Sequence, residues 1–296
     1  MSHIHMLHGL TIDSSIPLHQ PIGERERVDV TIVEGSVARP AARTIETANF
    51  CANEREIYIV EKDVGRFTVR DGREIVVEPC EGVDQRRLRY DLCSLVLPLL
   101  LHQRGSLVLH ATTVAMHDEA IALIGMPGEG KSTLALALCD QGAAVVAEDV
   151  TVVRCNAEGA SMAFPGESHL LLSPDAIHAC GHASDELPHV FEGSDRRVMD
   201  VPSVRPSAKL PLTRIYRLEE GPSIEVALLS PREALTALIG NPPWYWLMQI
   251  LDPVTHHALR STVAANTPLY SLRRPRNLEL LYDVAEIMME TPTLPS

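Results

Sequence analysis

The sequence predicts an α/β protein in which a small, mainly-β domain over residues 1–89 precedes a larger core with C-terminal helices over residues 90–296. Two observations predict this organisation. The first ninety residues contain short runs of β-branched and apolar residues between turn signals, which are typical of strands. Further along the chain, apolar runs of strand length alternate with segments rich in helix formers, which is the pattern of an α/β core.

The N-terminal domain is predicted to consist of strands and tight turns. Asp71 and Gly72 stand between two of these strands and favour a hairpin. No catalytic constellation is visible here, so we expect a recognition or support role. His3, His5 and His8 are close in sequence, but a mobile, solvated terminus is expected rather than a metal site. The expected strands cover residues 28–33, 56–60, 66–70 and 74–78.

The core is predicted to begin with a helix over residues 90–103, kinked at Pro98, and a strand over residues 106–114. Residues 164–209 are rich in Pro and are expected to form loops around a short helix near residues 174–180. The other expected elements are strands over 120–124, 143–149, 215–218 and 224–228, a helix over 134–139, a helix that begins at Ser230, and a last helix over 278–288.

The loop between the strand at 120–124 and the helix at 134–139 fits the P-loop (Walker A) pattern G-x-x-x-x-G-K-[ST]. Its glycines let backbone N–H groups curl around phosphate oxygens, and the helix N-terminus adds its positive end. Lys131 can reach the outer phosphates and the Ser132 hydroxyl can bind Mg²⁺. The pattern therefore predicts a nucleoside triphosphate site. The loop runs Gly125-Met126-Pro127-Gly128-Glu129-Gly130-Lys131-Ser132-Thr133.

The use of basic residues supports this prediction. Of the 26 Lys and Arg residues, only Lys62, Lys131 and Lys209 are Lys. A chain that uses Arg almost everywhere else has Lys where a P-loop needs a compact point charge.

The strand after the P-loop helix ends in Glu148 and Asp149, and Asp149 lies 18 residues after Lys131. An apolar run that ends in a carboxylate is typical of the second Mg²⁺-binding element of P-loop proteins. Asp149 is therefore the expected metal ligand and Glu148 the candidate general base. Adjacent strand residues point to opposite faces, so both can serve one site only if the strand ends there. His110 lies in an apolar run one strand upstream and, taken alone, is expected to be a core residue.

Composition excludes several classes of partner. The net charge of −13 argues against a nucleic-acid partner. The longest apolar run, residues 95–101, is too short to span a bilayer, and the N-terminus does not resemble a signal peptide. We therefore expect a cytoplasmic protein without a membrane partner. Six cysteines without C-x-x-C spacing are expected to be reduced, small apolar residues.

The layout around the P-loop resembles the kinase domain of bacterial HPr serine kinases. In that family a His precedes the P-loop Lys by the interval between His110 and Lys131, and an acidic pair follows at the interval of Glu148 and Asp149. The resemblance implies that His110 assists the base and that Glu148 activates the acceptor hydroxyl. Asp149 with Ser132 would hold Mg²⁺. It further implies ATP as the donor and a Ser hydroxyl of a peptide or small protein as the acceptor.

Two departures indicate a divergent branch of that family. The family usually has Asp-Asp where this chain has Glu148-Asp149, and its later Arg-Gly signature is not visible. Residues 164–166 (Phe-Pro-Gly) lead instead into residues 170–175, a pattern similar to HPr kinase-like proteins that phosphorylate precursor peptides in lasso-peptide biosynthesis. The resemblance covers residues 107–153. It implies a precursor peptide as the first choice of acceptor and an HPr-like carrier protein as the second. HPr kinases also form homo-oligomers, although no interface residue can be matched here.

The transferred phosphoryl group needs positive charge, which an Arg usually supplies. Arg196, Arg197 and Arg205 are candidates, with a solvated basic turn as the alternative for each. The arginines within residues 273–276 either contact an acidic peptide or cover the surface.

Other classes of function remain open at this level. A regulator that senses ATP and catalyses little would need the same P-loop. A transport ATPase is disfavoured, because an L-S-G-G-Q-like signature is absent and the carboxylates follow the P-loop too soon. A small-molecule kinase of the adenylylsulfate type gives no reason for His110 or for the N-terminal domain.

Overall fold

Two large β-sheets, joined through a helical segment, organise the chain. The structure is a computed structural model that describes residues 2–18, 27–41, 44–241 and 252–291. The first sheet has the strand order β1-β2-β3-β8-β7-β6-β5-β4. Its strands are β1 (His3–Leu7), β2 (Leu10–Ser14), β3 (Val30–Glu34), β4 (Ile45–Glu46), β5 (Phe50–Ala52), β6 (Glu56–Glu61), β7 (Gly65–Arg70) and β8 (Glu74–Pro79).

The predicted strands at 28–33, 56–60, 66–70 and 74–78 correspond to β3, β6, β7 and β8, with β3 shifted by two residues at its start. The predicted hairpin is confirmed as well. Asp71 and Gly72 have φ values of +49° and +62° and connect β7 to β8, which pair antiparallel. Positive φ at both positions is what such a tight turn requires.

The expectation of a solvated N-terminus is wrong. Residues 3–14 form the β1–β2 hairpin, whose turn is made by His8 and Gly9 at φ of +55° and +72°. His5 and His8 are only 2% exposed. Three polar imidazoles hide the strand pattern in the sequence, although the hairpin buries two of them, His5 and His8, and leaves His3 half-buried.

A helical segment links the two sheets. It comprises α1 (Gln85–Asp91), a π-helical turn (Leu92–Val96) and α2 (Leu97–Gln103), and it starts five residues earlier than predicted because Asp84 caps α1. Pro98 lies in the first turn of α2, directly after the π turn, where its missing N–H is tolerated. One apolar core packs this segment against both sheets. The predicted domain boundary at 89/90 falls within α1.

The second sheet has the order β11-β9-β10-β16-β18-β17, and β12 and β13 connect β9 to β16 at one end. Strands β10, β16 and β18 are parallel. Its strands are β9 (Leu107–Met116), β10 (Glu119–Ile124), β11 (Ala144–Ala147), β12 (Val150–Cys155), β13 (Ser161–Phe164), β16 (Leu210–Glu220), β17 (Glu225–Leu228) and β18 (Leu269–Arg274).

Helices pack on this sheet, and a small two-stranded sheet, β14 (His169–Leu172) with β15 (Arg197–Asp200), lies beside it. The helices are α3 (Lys131–Asp140), α4 (Pro174–Ala179), α5 (Pro231–Gly240), α6 (Pro253–Asn266) and α7 (Leu281–Glu290), with a 3₁₀ turn at Leu278–Leu280. The sequence analysis predicted neither helix α6 nor strands β4, β5, β13, β14, β15 and β18. In the described ranges, none of the helices combines the length and apolar character needed to cross a bilayer.

Candidate active site

The loop at residues 125–130 connects β10 to α3 at the position the sequence predicts. Gly128 and Gly130 have φ values of +85° and +75°, a region that L side chains rarely adopt. Gly130 is the N-cap residue of α3, and no side chain caps the helix there. The first N–H groups of α3 are therefore available to an anion, with the positive end of the helix dipole behind them.

Lys131 lies across this loop. It is 7% exposed, and its Nζ donates hydrogen bonds to the carbonyl oxygens of Gly125 (2.9 Å) and Met126 (3.2 Å). Burial lowers the pKa of Lys131, and the nearby carboxylates of Asp149 and Glu148 oppose that shift. The ammonium is thus held inside the loop by weak neutral acceptors, where a phosphate is a stronger partner.

Glu148 is a buried carboxylate that accepts three hydrogen bonds. The hydroxyl of Ser132 donates to Oε1 at 2.5 Å, that of Thr112 donates to Oε2 at 2.8 Å, and the backbone N–H of Leu171 donates to Oε1 at 3.4 Å. Burial raises the pKa of Glu148 to about 7, although the hydrogen bonds from Ser132 and Thr112 oppose the shift. Glu148 is therefore the carboxylate next to the P-loop hydroxyl.

Asp149 contacts His110 instead. Nδ1 of His110 lies 3.0 Å from Oδ1 of Asp149 and 3.2 Å from the carbonyl oxygen of the same residue. Burial tends to raise the pKa of Asp149, but the hydrogen bond from His110 and the positive charges of Arg196 and Lys131 outweigh it, and the pKa is lowered. Asp149 is consequently ionised at neutral pH. His110 is half-buried beside the cleft and is not a core residue.

The backbone explains why both carboxylates face one cleft. Strand β11 ends at Ala147, and Asp149 has a φ of +64° before β12 begins. The strand therefore ends at the acidic pair, so Glu148 and Asp149 are not held on opposite faces of a continuous strand. The pairing differs from the expectation, because the turn directs Asp149 towards His110 and leaves Glu148 beside Ser132.

The cleft in front of the P-loop has a volume of about 680 Å³, within the range of small-molecule sites. Of the arginines considered from the sequence, only Arg196 lines it. Arg196 donates a hydrogen bond to the hydroxyl of Tyr90 at 3.0 Å. Arg197 instead contacts His189, and Arg205 is exposed outside the cleft. The predicted residues that line the cleft are His110, Pro127, Gly128, Gly130, Lys131, Ser132, Thr133, Glu148 and Asp149.

Gly125 and Glu129 lie on the other side of the loop, where they line a neighbouring cavity. The carboxylate of Glu129 accepts a hydrogen bond from the N–H of Met126 at 2.6 Å. This bond ties the two ends of the loop together.

Sequence reasoning missed two residues that shape the site. Thr112 binds Glu148 and lies two residues after His110, so strand periodicity places both on one face of β9. Asn241, at the end of α5, accepts a hydrogen bond from the N–H of His110 (2.8 Å) and donates to its carbonyl oxygen (3.1 Å). No sequence signal connects Asn241 to His110, because the two are 131 residues apart.

The residues fit an Mg²⁺–triphosphate group. The hydroxyl of Ser132 and the carboxylate of Glu148 are the hard oxygen donors that Mg²⁺ takes. A Cβ at Gly128 would meet no atom within 4 Å, so the space over the loop is open. Carbonyl-bound Lys131 and the uncapped helix N-terminus supply the positive side of a phosphate site.

No family model matches the sequence, and no curated protein matches it. Among solved structures, the chain is similar to the HPr(Ser) kinase/phosphatase from Coxiella burnetii, with 15% sequence identity and a TM-score of 0.32. The alignment covers 62% of this chain and 92% of that chain. This is a distant likeness that concerns the fold alone.

Proposed function

We propose that this protein is an ATP- and Mg²⁺-dependent kinase that transfers a phosphoryl group to a Ser hydroxyl of a peptide or small protein. One observation carries the proposal. A glycine loop with its Lys, a hydroxyl–carboxylate pair, a His–carboxylate pair and an Arg all line a single cleft. Phosphoryl transfer needs these parts for charge neutralisation and for positioning of the acceptor.

Ser132 and Glu148 form the metal side of the proposed site. When bound there, Mg²⁺ would neutralise charge on the phosphates. Glu148 accepts the hydroxyl hydrogen of Ser132, which leaves the lone pairs of that oxygen free for a cation. Thr112 fixes the second carboxylate oxygen, so the orientation of Glu148 is set before any ligand arrives.

Asp149 and His110 form the acceptor side. Asp149 is ionised at neutral pH and can accept the proton of an approaching hydroxyl. His110 donates from Nδ1 to Asp149 and fixes the direction of that carboxylate. We therefore assign the base to Asp149 and the metal side to Glu148, which reverses the roles that the family resemblance implies.

Arg196 is the cation we assign to the transferred phosphoryl group. Its guanidinium lines the cleft, contacts the Tyr90 hydroxyl and interacts with the charge of Asp149. Stacking close to the Tyr90 ring, 5.8 Å from its centroid, restricts the side chain to this region.

The acceptor we propose is a Ser-containing precursor peptide of the lasso type, with an HPr-like carrier protein as the alternative. This choice rests on the sequence around residues 164–175 and on the absent Arg-Gly signature.

Two measurements on the purified protein test the proposal. Calorimetric titration with ATP and Mg²⁺ should show one site that is lost in Lys131→Ala. ADP formation should then rise several-fold when Ser-containing candidate peptides are added. If the protein binds ATP tightly but forms ADP slowly, and no acceptor raises that rate, the result would contradict a kinase and indicate a nucleotide-sensing regulator.

A further inference from the structure

Arg274, the last residue of β18, lies against the outside of the P-loop. Its Nη2 donates a hydrogen bond of 2.6 Å to the carbonyl oxygen of Glu129. The guanidinium is half-buried and does not line the cleft in front of the loop. It therefore touches the loop only from behind.

The neighbouring arginines are bound differently. Arg276 pairs with Glu220 at 3.0 Å, and Arg273 lies 3.8 Å from Glu219, both on the exposed surface. Among the residues that the structure describes, the Nε of Arg274 has no hydrogen-bond partner. The acidic group whose charge acts on its guanidinium is the carboxylate of Glu129, which belongs to the loop itself. Unlike Arg273 and Arg276, Arg274 thus places its positive charge beside the loop rather than in a surface ion pair.

The contact fixes the orientation of one peptide group of the loop. In a planar trans peptide, the C=O and the following N–H point in opposite directions. Because the carbonyl oxygen of Glu129 is bound to Arg274 on the outside, the N–H of Gly130 faces away from Arg274. The direction away from Arg274 is the concave side of the loop, and in a P-loop the phosphate oxygens lie on that side.

Space at the contact is tight. A Cβ at Gly130 would lie 2.7 Å from Nη2 of Arg274, and the φ of +75° at this position also favours Gly. The bond from Met126 to the Glu129 side chain holds the same residue on its other side. Two hydrogen bonds therefore hold Glu129: its carbonyl oxygen accepts one from Arg274, outside the loop, and its carboxylate accepts one from Met126, within the loop.

We propose that Arg274 is a positioning residue for phosphate binding: it holds the Glu129–Gly130 peptide so that the Gly130 N–H faces the nucleotide phosphates, and it adds positive charge behind them. The inference rests on the proposed nucleotide binding by the P-loop. It concerns affinity for phosphates and assigns Arg274 no direct contact with substrate.

The test compares Arg274→Gln and Arg274→Lys with Arg276→Gln, a matched control that removes an exposed arginine two residues away. Binding of ATP, ADP and AMP with Mg²⁺ is measured for each variant by calorimetry. Because a hydrogen bond from a charged group is stronger than one between neutral groups, we expect Arg274→Gln to weaken ATP and ADP binding about tenfold or more, with little change for AMP. Arg274→Lys should recover part of the loss, and Arg276→Gln should bind like the wild type.

Equal ATP affinity for Arg274→Gln and Arg276→Gln would overturn the proposal, as would an equal loss for all three nucleotides. If Arg274→Gln does not fold, Arg274→Lys decides. It keeps the charge but loses the fixed reach of the guanidinium, so ATP affinity equal to the wild type would overturn the proposal. The failure of nucleotide binding as such is distinguishable, because the wild type would then bind no ATP and Lys131→Ala would change nothing.

Discussion

His110 directs its Nδ1 towards two acceptors of Asp149, the carboxylate oxygen at 3.0 Å and the carbonyl oxygen at 3.2 Å. Because both neighbours only accept hydrogen bonds, Nδ1 carries the proton. Asp149 is thereby held at a strand end, beside the P-loop, with its carboxylate fixed before an acceptor arrives. The proposed base and its orienting group thus form one unit.

Asp149→Asn should abolish most turnover and leave ATP binding intact. The amide keeps the size of the side chain but cannot accept a proton, and general base catalysis contributes about 10²–10⁴-fold in rate. Steady-state kinetics and calorimetry on the same sample separate the two effects.

His110→Ala should also reduce turnover while sparing ATP affinity. Unchanged turnover in His110→Ala would return this residue to a structural role.

Glu148→Gln should affect Mg²⁺ use more than nucleotide affinity. The amide can still accept the hydrogen of the Ser132 hydroxyl, but it removes the negative charge from the proposed metal side. We expect the Mg²⁺ concentration for half-maximal activity to rise about tenfold or more, as for loss of other groups that support a metal. An unchanged Mg²⁺ dependence, with Asp149→Asn raising it instead, would restore the roles implied by the family resemblance.

Asn241→Ala should slow the reaction although Asn241 is not a proposed substrate contact. Its amide binds the N–H and the carbonyl oxygen of His110, so loss of these two hydrogen bonds lets the backbone of β9 shift at His110. Two hydrogen bonds of about 1 kcal/mol each set an upper bound of roughly 30-fold on the loss of turnover. Asn266→Ala is the control, because Asn266 donates a similar bond to the carbonyl oxygen of Gly159, far from the cleft. Equal effects of the two variants would argue against a specific role for Asn241.

Arg196→Gln should lower turnover by about 10²-fold or more, the cost of removing one group that stabilises transition-state charge. ATP affinity should fall much less. Arg205→Gln removes an exposed arginine outside the cleft and should behave like the wild type. Comparable turnover in the two variants would mean that the transferred phosphoryl group finds its positive charge elsewhere.

Because His8 is buried, we expect the protein to lose stability in acid. Burial, with a smaller contribution from Arg154, lowers the pKa of His8 from 6.5 to about 3. Between these two values the unfolded chain binds a proton that the folded chain does not. The free energy of unfolding is therefore unaffected above about pH 6.5 and falls as the pH drops towards 3.

For one such group the slope is about 1.4 kcal/mol per pH unit. His8→Asn removes the titrating ring and keeps a residue that tolerates the left-handed turn conformation. Chemical denaturation at several pH values should give a shallower acid slope for His8→Asn. Parallel curves for the variant and the wild type would contradict the buried, neutral state of His8.

The parts of the site that the sequence predicts are those encoded locally. The P-loop and the acidic pair can be read directly, because strand, glycine turn and helix follow one another and Glu148 meets Ser132 across only 16 residues. The sequence could not show that Glu148 contacts Ser132 and that Asp149 contacts His110, because this arrangement depends on the left-handed backbone of Asp149. A strand pattern alone gives no reason for such a turn.

Contacts that depend on tertiary packing could not be predicted from the sequence. Asn241 reaches His110 across 131 residues, and Arg274 reaches Glu129 across 145. Arg274 is one of three arginines within residues 273–276, where charge alone suggests a surface patch. The buried N-terminal hairpin was missed for a related reason: polar histidines look solvated in the sequence, whereas the fold buries His8 against Gly166.

The central claim, phosphoryl transfer from this cleft to a Ser hydroxyl, is tested most directly by mass spectrometry of acceptor peptides. Small Ser-containing peptides encoded beside this gene are incubated with the protein, ATP and Mg²⁺. We expect the mass increase of one phosphoryl group with the wild type, located on a Ser by fragmentation, and no such increase with Lys131→Ala or Asp149→Asn. No phosphorylated peptide or carrier protein from a protein that binds ATP would contradict the kinase assignment.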